Sequence, residues 1–231
     1  MSPRIVGLAG PAGVGKSTAA TLIAMSGDWR VISFAEPLRA AALELHPEWS
    51  ILDFQGPGKE RKRPPSPLGW GRMEDIVVAW AMDLTGFDVA DGFPFLVQRV
   101  MSAMQESLSP RETLRVLGDF VRAMDADAFT RRGREVADRE LWSGRSVVFD
   151  DVRFEPEAEM IRTAGGLVVH LTRHGVTFRR DHHSEIGLAF GDGDAALHNP
   201  GAVRGLHCEL SSVLMRRLCT HDVARLAGVD Q

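Results

Sequence analysis

Lys16 stands behind Gly10-Pro11-Ala12-Gly13-Val14-Gly15 and ahead of Ser17 and Thr18, so Gly10, Gly15, Lys16 and Ser17 fill the pattern G-x-x-x-x-G-K-[ST]. In such a loop the glycines let backbone N–H groups turn inward around phosphates. The lysine ammonium reaches the β- and γ-phosphates, and the serine hydroxyl is a ligand for Mg²⁺. The spacing predicts a nucleoside triphosphate site. It does not by itself separate a kinase from an ATPase, a GTPase or a motor.

Two further sets of side chains extend this chemistry. Gly144-Arg145-Ser146-Val147-Val148-Phe149 ends in Asp150 and Asp151, and an acid at the carboxyl end of a neighbouring strand can hold the metal between β- and γ-phosphates. Asp151 is the first choice and Asp150 the second, because adjacent strand residues face opposite sides and only one can easily aim at the metal. Arginines form the other set, since phosphoryl transfer needs donors around three equatorial oxygens. Arg173, Arg179 and Arg180 lie in a polar, His-rich stretch after a strand and are candidates for a closing lid over about residues 173–186. Arg39, Arg111 and Arg122 are placed to hold a second phosphate, that of an acceptor.

The elements that must position these groups follow from local pattern. Arg4-Ile5-Val6-Gly7-Leu8-Ala9 predicts a first strand, and Thr18 to Met25 a helix whose N-terminal dipole favours an anion. Trp29 to Phe34 predicts a second strand, with Pro37 in the first turn of the next helix. Residues 53–72 carry turn formers and basic side chains, the pattern of a solvated loop. Apolar spacing then predicts helices over Met73–Asp83, Phe95–Leu108 and Asp127–Leu141. Ser109-Pro110-Arg111-Glu112 opens a further one through Arg122. Strands are predicted at 144–151, 165–172 and 194–199, with a helix over Glu155–Thr163 and another from Ala202 to Leu218. Short apolar runs separated by helices imply a parallel sheet with both faces covered, and ligands at the carboxyl ends of its strands. The interval between the second and third strands is largely helical and too long for a simple crossover. It reads as a substrate-binding insertion.

Composition is that of a globular protein of 231 residues with a formal charge of −4, which disfavours wrapping a nucleic-acid backbone. No apolar run approaches the roughly 18 residues of a membrane span, and Met1-Ser2-Pro3-Arg4 leads into the first strand without a signal-peptide profile. A cytoplasmic location is expected. Cys208 and Cys219 suit neither zinc spacing nor a disulfide framework and read as packing residues. Only three of the 27 basic residues are lysines, a surplus of arginine that reads as coding bias more than selection for bidentate contacts.

Four blocks then resemble one family in order. Ser33-Phe34-Ala35-Glu36-Pro37-Leu38-Arg39 is similar to the "SFA-x-PLK" segment of bacteriophage-type deoxynucleoside monophosphate kinases. Pro110 to Gly118 with Arg122, Asp151-Val152-Arg153-Phe154-Glu155-Pro156-Glu157-Ala158, and His182-His183-Ser184-Glu185 follow, and Leu197 to Leu206 is similar to the family's closing strand and helix. The resemblance implies an α/β P-loop kinase fold of three layers, with a five-stranded parallel sheet, helices on both faces and a helical acceptor-binding insertion. One domain is expected, its core over about 1–46 and 143–231 and its insertion over about 47–142. The implied reaction is ATP plus dNMP to ADP plus dNDP by direct in-line transfer, with Mg²⁺, and host cytoplasm as the site if the source is a phage. Small-molecule substrates are expected as partners, no nucleic acid and no membrane, with a homodimer left open.

Carried over by position, Gly10, Ala12, Gly13, Val14, Gly15, Lys16, Ser17 and Thr18 bind ATP, and Ser17 and Asp151 the metal. Phe34, Ala35, Arg39, Arg111, Arg122, Asp151 and Arg153 fall to the acceptor. Lys16, Asp151, Arg153, Arg173 and Arg179 are catalytic, and Arg180, His182, Ser184 and Glu185 belong to the lid. The sequence departs from the family where Leu117-Gly118-Asp119 replaces "LGT" and Phe120-Val121 replaces a following aromatic, which bears on base preference. Rival readings are a kinase of a hydroxymethylated base in DNA or of a small metabolite such as dephospho-coenzyme A, and a regulatory ATPase.

Overall fold

The computed structural model describes residues 4–88, 92–177 and 187–226. The chain forms two compact units, Met1–Phe34 with Gly133–Gln231, and Ala35–Arg132.

In the first unit, β1 (Ile5–Ala9), β2 (Trp29–Ile32), β3 (Ser146–Val152), β4 (Leu167–Arg173) and β5 (Ala195–Asn199) form one five-stranded sheet in the order β2-β3-β1-β4-β5. Every neighbouring pair is parallel, so the C-terminal ends of all five strands share one edge. The sheet is apolar on both faces because helices cover both. Val6, Leu8, Val148, Val169, Leu171 and Leu197 pack against α1 (Lys16–Met25) and α8 (Val203–Leu226). Ile5, Ala9, Val147, Phe149 and Val168 point the other way, onto α7 (Glu155–Thr163) and the C-terminal part of α6 (Ala128–Trp142). The alternation of Ile5 with Val6 and of Val147 with Val148 is the period-2 rule of a strand read from two sides.

The second unit is helical: α2 (Glu36–Leu45), α3 (Trp70–Thr85), α4 (Pro94–Met104), α5 (Pro110–Met124) and the start of α6. Its core is the stripe that helical spacing predicts, with Met73, Val77, Ala81, Met101, Met104, Leu117 and Val121 fully buried. α5 starts on a capping box. Ser109 Oγ accepts from Glu112 N–H at 3.3 Å, the Glu112 carboxylate accepts from Ser109 N–H at 2.8 Å, and Pro110 needs no partner at the first position. That backbone N–H, donated by Ser109, is the main reason the Glu112 carboxyl titrates below the usual range.

Four departures from the sequence pattern have a clear physical cause. β2 stops at Ile32 because Ser33 and Phe34 are engaged by a side chain of β3 rather than by the ladder. α4 ends at Met104, not Leu108, and the carbonyls of Met104 and Leu108 accept instead from Ser66 and Arg63 N–H. Those bonds pin the segment expected to be a loose loop. It contains two 3₁₀ turns, Ile51–Phe54 and Gly56–Glu60, an Arg63–Asp53 ion pair, and a bond from Ser66 Oγ to the Leu45 carbonyl. Cys208 is exposed on α8 and is not a packing residue, because Leu206 and Leu210 take the inward positions.

Candidate active site

The loop after β1 runs into α1 with three glycines in the left-handed region, Gly10 at φ 136°, Gly13 at 83° and Gly15 at 105°, where a side chain would be strained. Space matters as much as torsion at Gly10, since a Cβ there would stand 2.5 Å from the Leu171 carbonyl oxygen of β4. Lys16 opens α1 and is buried, at 9% exposure. Its Nζ donates to the carbonyl oxygens of Gly10 at 2.6 Å and Pro11 at 3.0 Å, so the loop's own backbone fixes the ammonium. Ser17 follows at the helix N-terminus, where aligned peptide dipoles favour an anion.

The acids of β3 lie in an irregularity. Gly7 of β1 pairs with Phe149, but Ala9 pairs with Val152, so β3 carries one extra residue between these pairs. Bulges of this kind re-aim side chains. The Asp150 carboxylate accepts from Ser17 Oγ at 3.2 Å. Asp151 is buried and turns elsewhere, accepting from Ser33 Oγ at 2.5 Å and from Phe34 N–H at 2.8 Å. The first choice for the metal, Asp151, is thus occupied in holding the end of β2, and Asp150 is the acid that meets the loop serine. Ser17 Oγ and the Asp150 carboxylate are hard oxygen donors of the kind Mg²⁺ takes alongside phosphate oxygens. Among the described residues no group of three or more His, Cys, Asp or Glu could hold a metal by itself.

The remaining candidates divide by unit. Phe34 puts its ring into the core, stacked on Phe149 with centroids 4.4 Å apart, so only its backbone takes part in the Asp151 contact. Arg153 sits in the turn between β3 and α7. That turn is fixed by the buried Glu157 carboxylate, which accepts from Arg153 N–H at 2.8 Å and Phe154 N–H at 3.1 Å. Arg173 ends β4, exposed, in register with Asn199. Arg179, Arg180, His182, Ser184 and Glu185 lie outside the described residues.

In the helical unit, Arg111 and Arg122 are eleven residues apart on α5, three turns plus about 20°, and so share a face. Arg111 Nε lies 3.0 Å from a Glu60 carboxylate oxygen, and the Arg122 guanidinium lies 4.7 Å above the Phe129 ring centroid. Gly118 makes room for it, since a Cβ there would be 2.8 Å from Arg122 Nη1. Arg39 is half-buried on α2, and Ala35 precedes that helix.

Two residues of the site carry no role in the sequence pattern. Ser33 is the buried donor to Asp151, and its only signal is its place at the head of the Ser33–Arg39 segment. Asn199 reaches from β5 to the loop, its Nδ2 donating to the Val14 carbonyl at 2.7 Å. No local pattern signals that contact.

Strand order, covered sheet and the loop after the first strand place the protein in the P-loop kinase class. The model of the deoxynucleotide monophosphate kinase family matches residues 77–210, more than half of the chain, and the chain belongs to that family. It is therefore an enzyme that phosphorylates deoxynucleoside monophosphates, and its substrates are small molecules. The matched stretch runs from α3 into α8 and includes β3, β4 and β5; the glycine loop precedes it and rests on its own motif and geometry. No curated protein matches the chain. Among the described residues no helix is long and apolar enough to cross a membrane.

Proposed function

We propose that the enzyme uses ATP as donor and transfers its γ-phosphoryl group directly to a deoxynucleoside monophosphate. An oxygen of the acceptor's terminal phosphate attacks the γ-phosphorus as the bond to the β–γ bridging oxygen breaks in line with it, giving dNDP and ADP without a covalent enzyme intermediate. The observation that carries this reading is the assembly of Lys16, Ser17 and Asp150 on one loop and one strand end. Lys16 and the loop N–H groups from Gly10, Ala12, Gly13, Val14, Gly15, Ser17 and Thr18 take the donor phosphates. Ser17 and Asp150 would hold a Mg²⁺ ion beside the donor phosphates, where it would supply neutralisation of their charge. Asp151 is assigned a positioning role through Ser33 and Phe34 instead of a metal bond.

The acceptor is assigned to the helical segment over about 47–142 together with Ala35, Arg39 and Arg153. Arg111 and Arg122 supply planar donors that match a phosphate, and Arg173, exposed at the end of β4, is assigned to the transferring phosphoryl group. The reaction takes place in the cytoplasm. An ADP-release assay over the four common dNMPs, the corresponding ribonucleotides and a no-acceptor control tests the proposal. ADP release that requires ATP, Mg²⁺ and at least one dNMP is expected. Release independent of acceptor, or none with any dNMP, overturns it.

A further inference from the structure

Asn199 ends β5, is almost fully buried at 4% exposure, and uses both ends of its amide. Its Oδ1 accepts from Gly201 N–H at 2.8 Å, a local bond that turns the chain after the strand. Its Nδ2 donates at 2.7 Å to the carbonyl of Val14, a residue 185 positions earlier in the chain. The turn accounts for the first bond and not for the second. The two partners also fix which way the amide faces, because a carbonyl can only accept and a backbone N–H can only donate. Packing agrees with the bonds. A Cβ on Gly15 would lie 2.4 Å from Asn199 Nδ2 and 3.9 Å from Leu206 Cδ2, so the amide fills the space the glycine leaves open.

The Val14 carbonyl and the Gly15 N–H belong to one peptide plane and point in opposite directions across it. Fixing the oxygen therefore fixes the direction of that N–H. Gly15 itself, at φ 105°, has the wide conformational freedom of glycine and does not settle the orientation of the plane on its own. Gly15 is the loop glycine just before Lys16, and its N–H is one of the backbone donors such a loop offers to phosphate.

We propose that Asn199 is a positioning residue for phosphoryl transfer, holding the Val14–Gly15 peptide so that the Gly15 N–H faces the donor phosphates. The inference rests on the donor-site reading above and adds to it a residue from the last strand. It acts through the loop, so its effect is expected on the donor side.

Asn199→Asp separates the two bonds. The carboxylate still accepts from Gly201 N–H but sets an oxygen against the Val14 carbonyl where a donor stood. The KM for ATP is expected to rise about tenfold, the worth of one buried hydrogen bond, with the KM for dNMP within about twofold of wild type. Asn199→Ala, which removes both bonds and adds no charge, is expected to raise the ATP KM in the same direction and serves if the aspartate variant does not fold. Equal rises in both KM values in the folded variants mark a general structural role and overturn the proposal. An unchanged ATP KM in both variants, with Lys16→Ala inactive, overturns the proposal and leaves the donor-site reading intact. Full turnover by Lys16→Ala removes that reading and the proposal with it.

Discussion

The glycine loop and helix α5 hold positive charge by opposite means. Lys16 is buried and bonded to two backbone carbonyls of its own loop, while the loop's glycines lean on the Leu171 carbonyl and on the Asn199 amide. Its geometry is held by backbone torsions and by one buried amide from the last strand. On α5 the charge is held side chain to side chain. Arg111 meets Glu60, whose side chain is 40% exposed, and Arg122 rests on an aromatic face. A backbone-held cation is rigid, as the donor phosphates shared by every nucleoside triphosphate allow. A cation paired with a half-exposed carboxylate can exchange that partner for a phosphate, which fits the proposal that α5 receives the acceptor.

The largest effect should come from the rigid side. Lys16→Ala is expected to lower kcat by at least about a thousandfold while dNMP still binds, measured by calorimetry with dNMP alone. Near-normal dNDP formation would break the contrast at its strongest point.

Burial itself provides the next test. In the sheet unit Asp194 is buried and accepts from Arg162 Nε at 3.1 Å and Nη2 at 2.8 Å and from Gly191 N–H at 2.8 Å, with His170 Nε2 also at 2.8 Å. Burial pushes its carboxyl up, but Arg162, the Gly191 N–H and His170 together outweigh that and hold it below the usual carboxylate range. The Arg162 guanidinium is correspondingly raised, chiefly by its bonds to Asp194. A carboxyl depressed on folding adds stability above its unfolded pKa of about 3.9, and that stability is lost as pH falls through the folded value. Asp194→Asn should therefore cost about 3 kcal/mol at pH 7 in urea unfolding, and the gap to wild type should close at pH below about 4. A gap that does not change with pH would show that the carboxylate charge is not what is being held.

Smaller effects are expected in the helical unit. Arg111→Ala should raise the KM for dNMP about tenfold, the worth of one charge-assisted hydrogen bond, and leave the KM for ATP unchanged. An unaltered dNMP KM would take Arg111 out of the acceptor site. Glu60→Gln should shift the dNMP KM by no more than about threefold, in keeping with the small worth of exposed ion pairs. A shift as large as that of Arg111→Ala would mean that the carboxylate is as fixed as the loop backbone and would erase the difference between the two regions.

Much of this was legible residue by residue. The glycine-rich phosphate-binding pattern, the Ser109 N-cap with Pro110 at the first helical position and the apolar spacing of α3 and α4 are all local rules, and the structure follows them. α7 covers the predicted residues, Glu155 to Thr163. What was not legible depended on distant parts of the chain. Strand alternation offered no means of choosing Asp150 over Asp151, because the choice depends on an extra residue in β3 that exists only relative to its pairing with β1. The block around Phe34 gave no sign that its ring stacks on Phe149, because the two are brought together only by the pairing of β2 with β3. The segment around Arg63 looked like free loop because its partners, the carbonyls of Met104 and Leu108, lie some forty residues further along the chain.

The sequence by itself determined the kinds of element, their order and the chemistry of the loop, since torsional preference, capping and apolar period act within a few residues. Tertiary structure alone decided which acid meets Ser17, that Asn199 grips Val14, and that Glu60 pairs with Arg111. Those are matters of strand register and side-chain packing between residues far apart in the chain, and they are settled only when whole elements are in place.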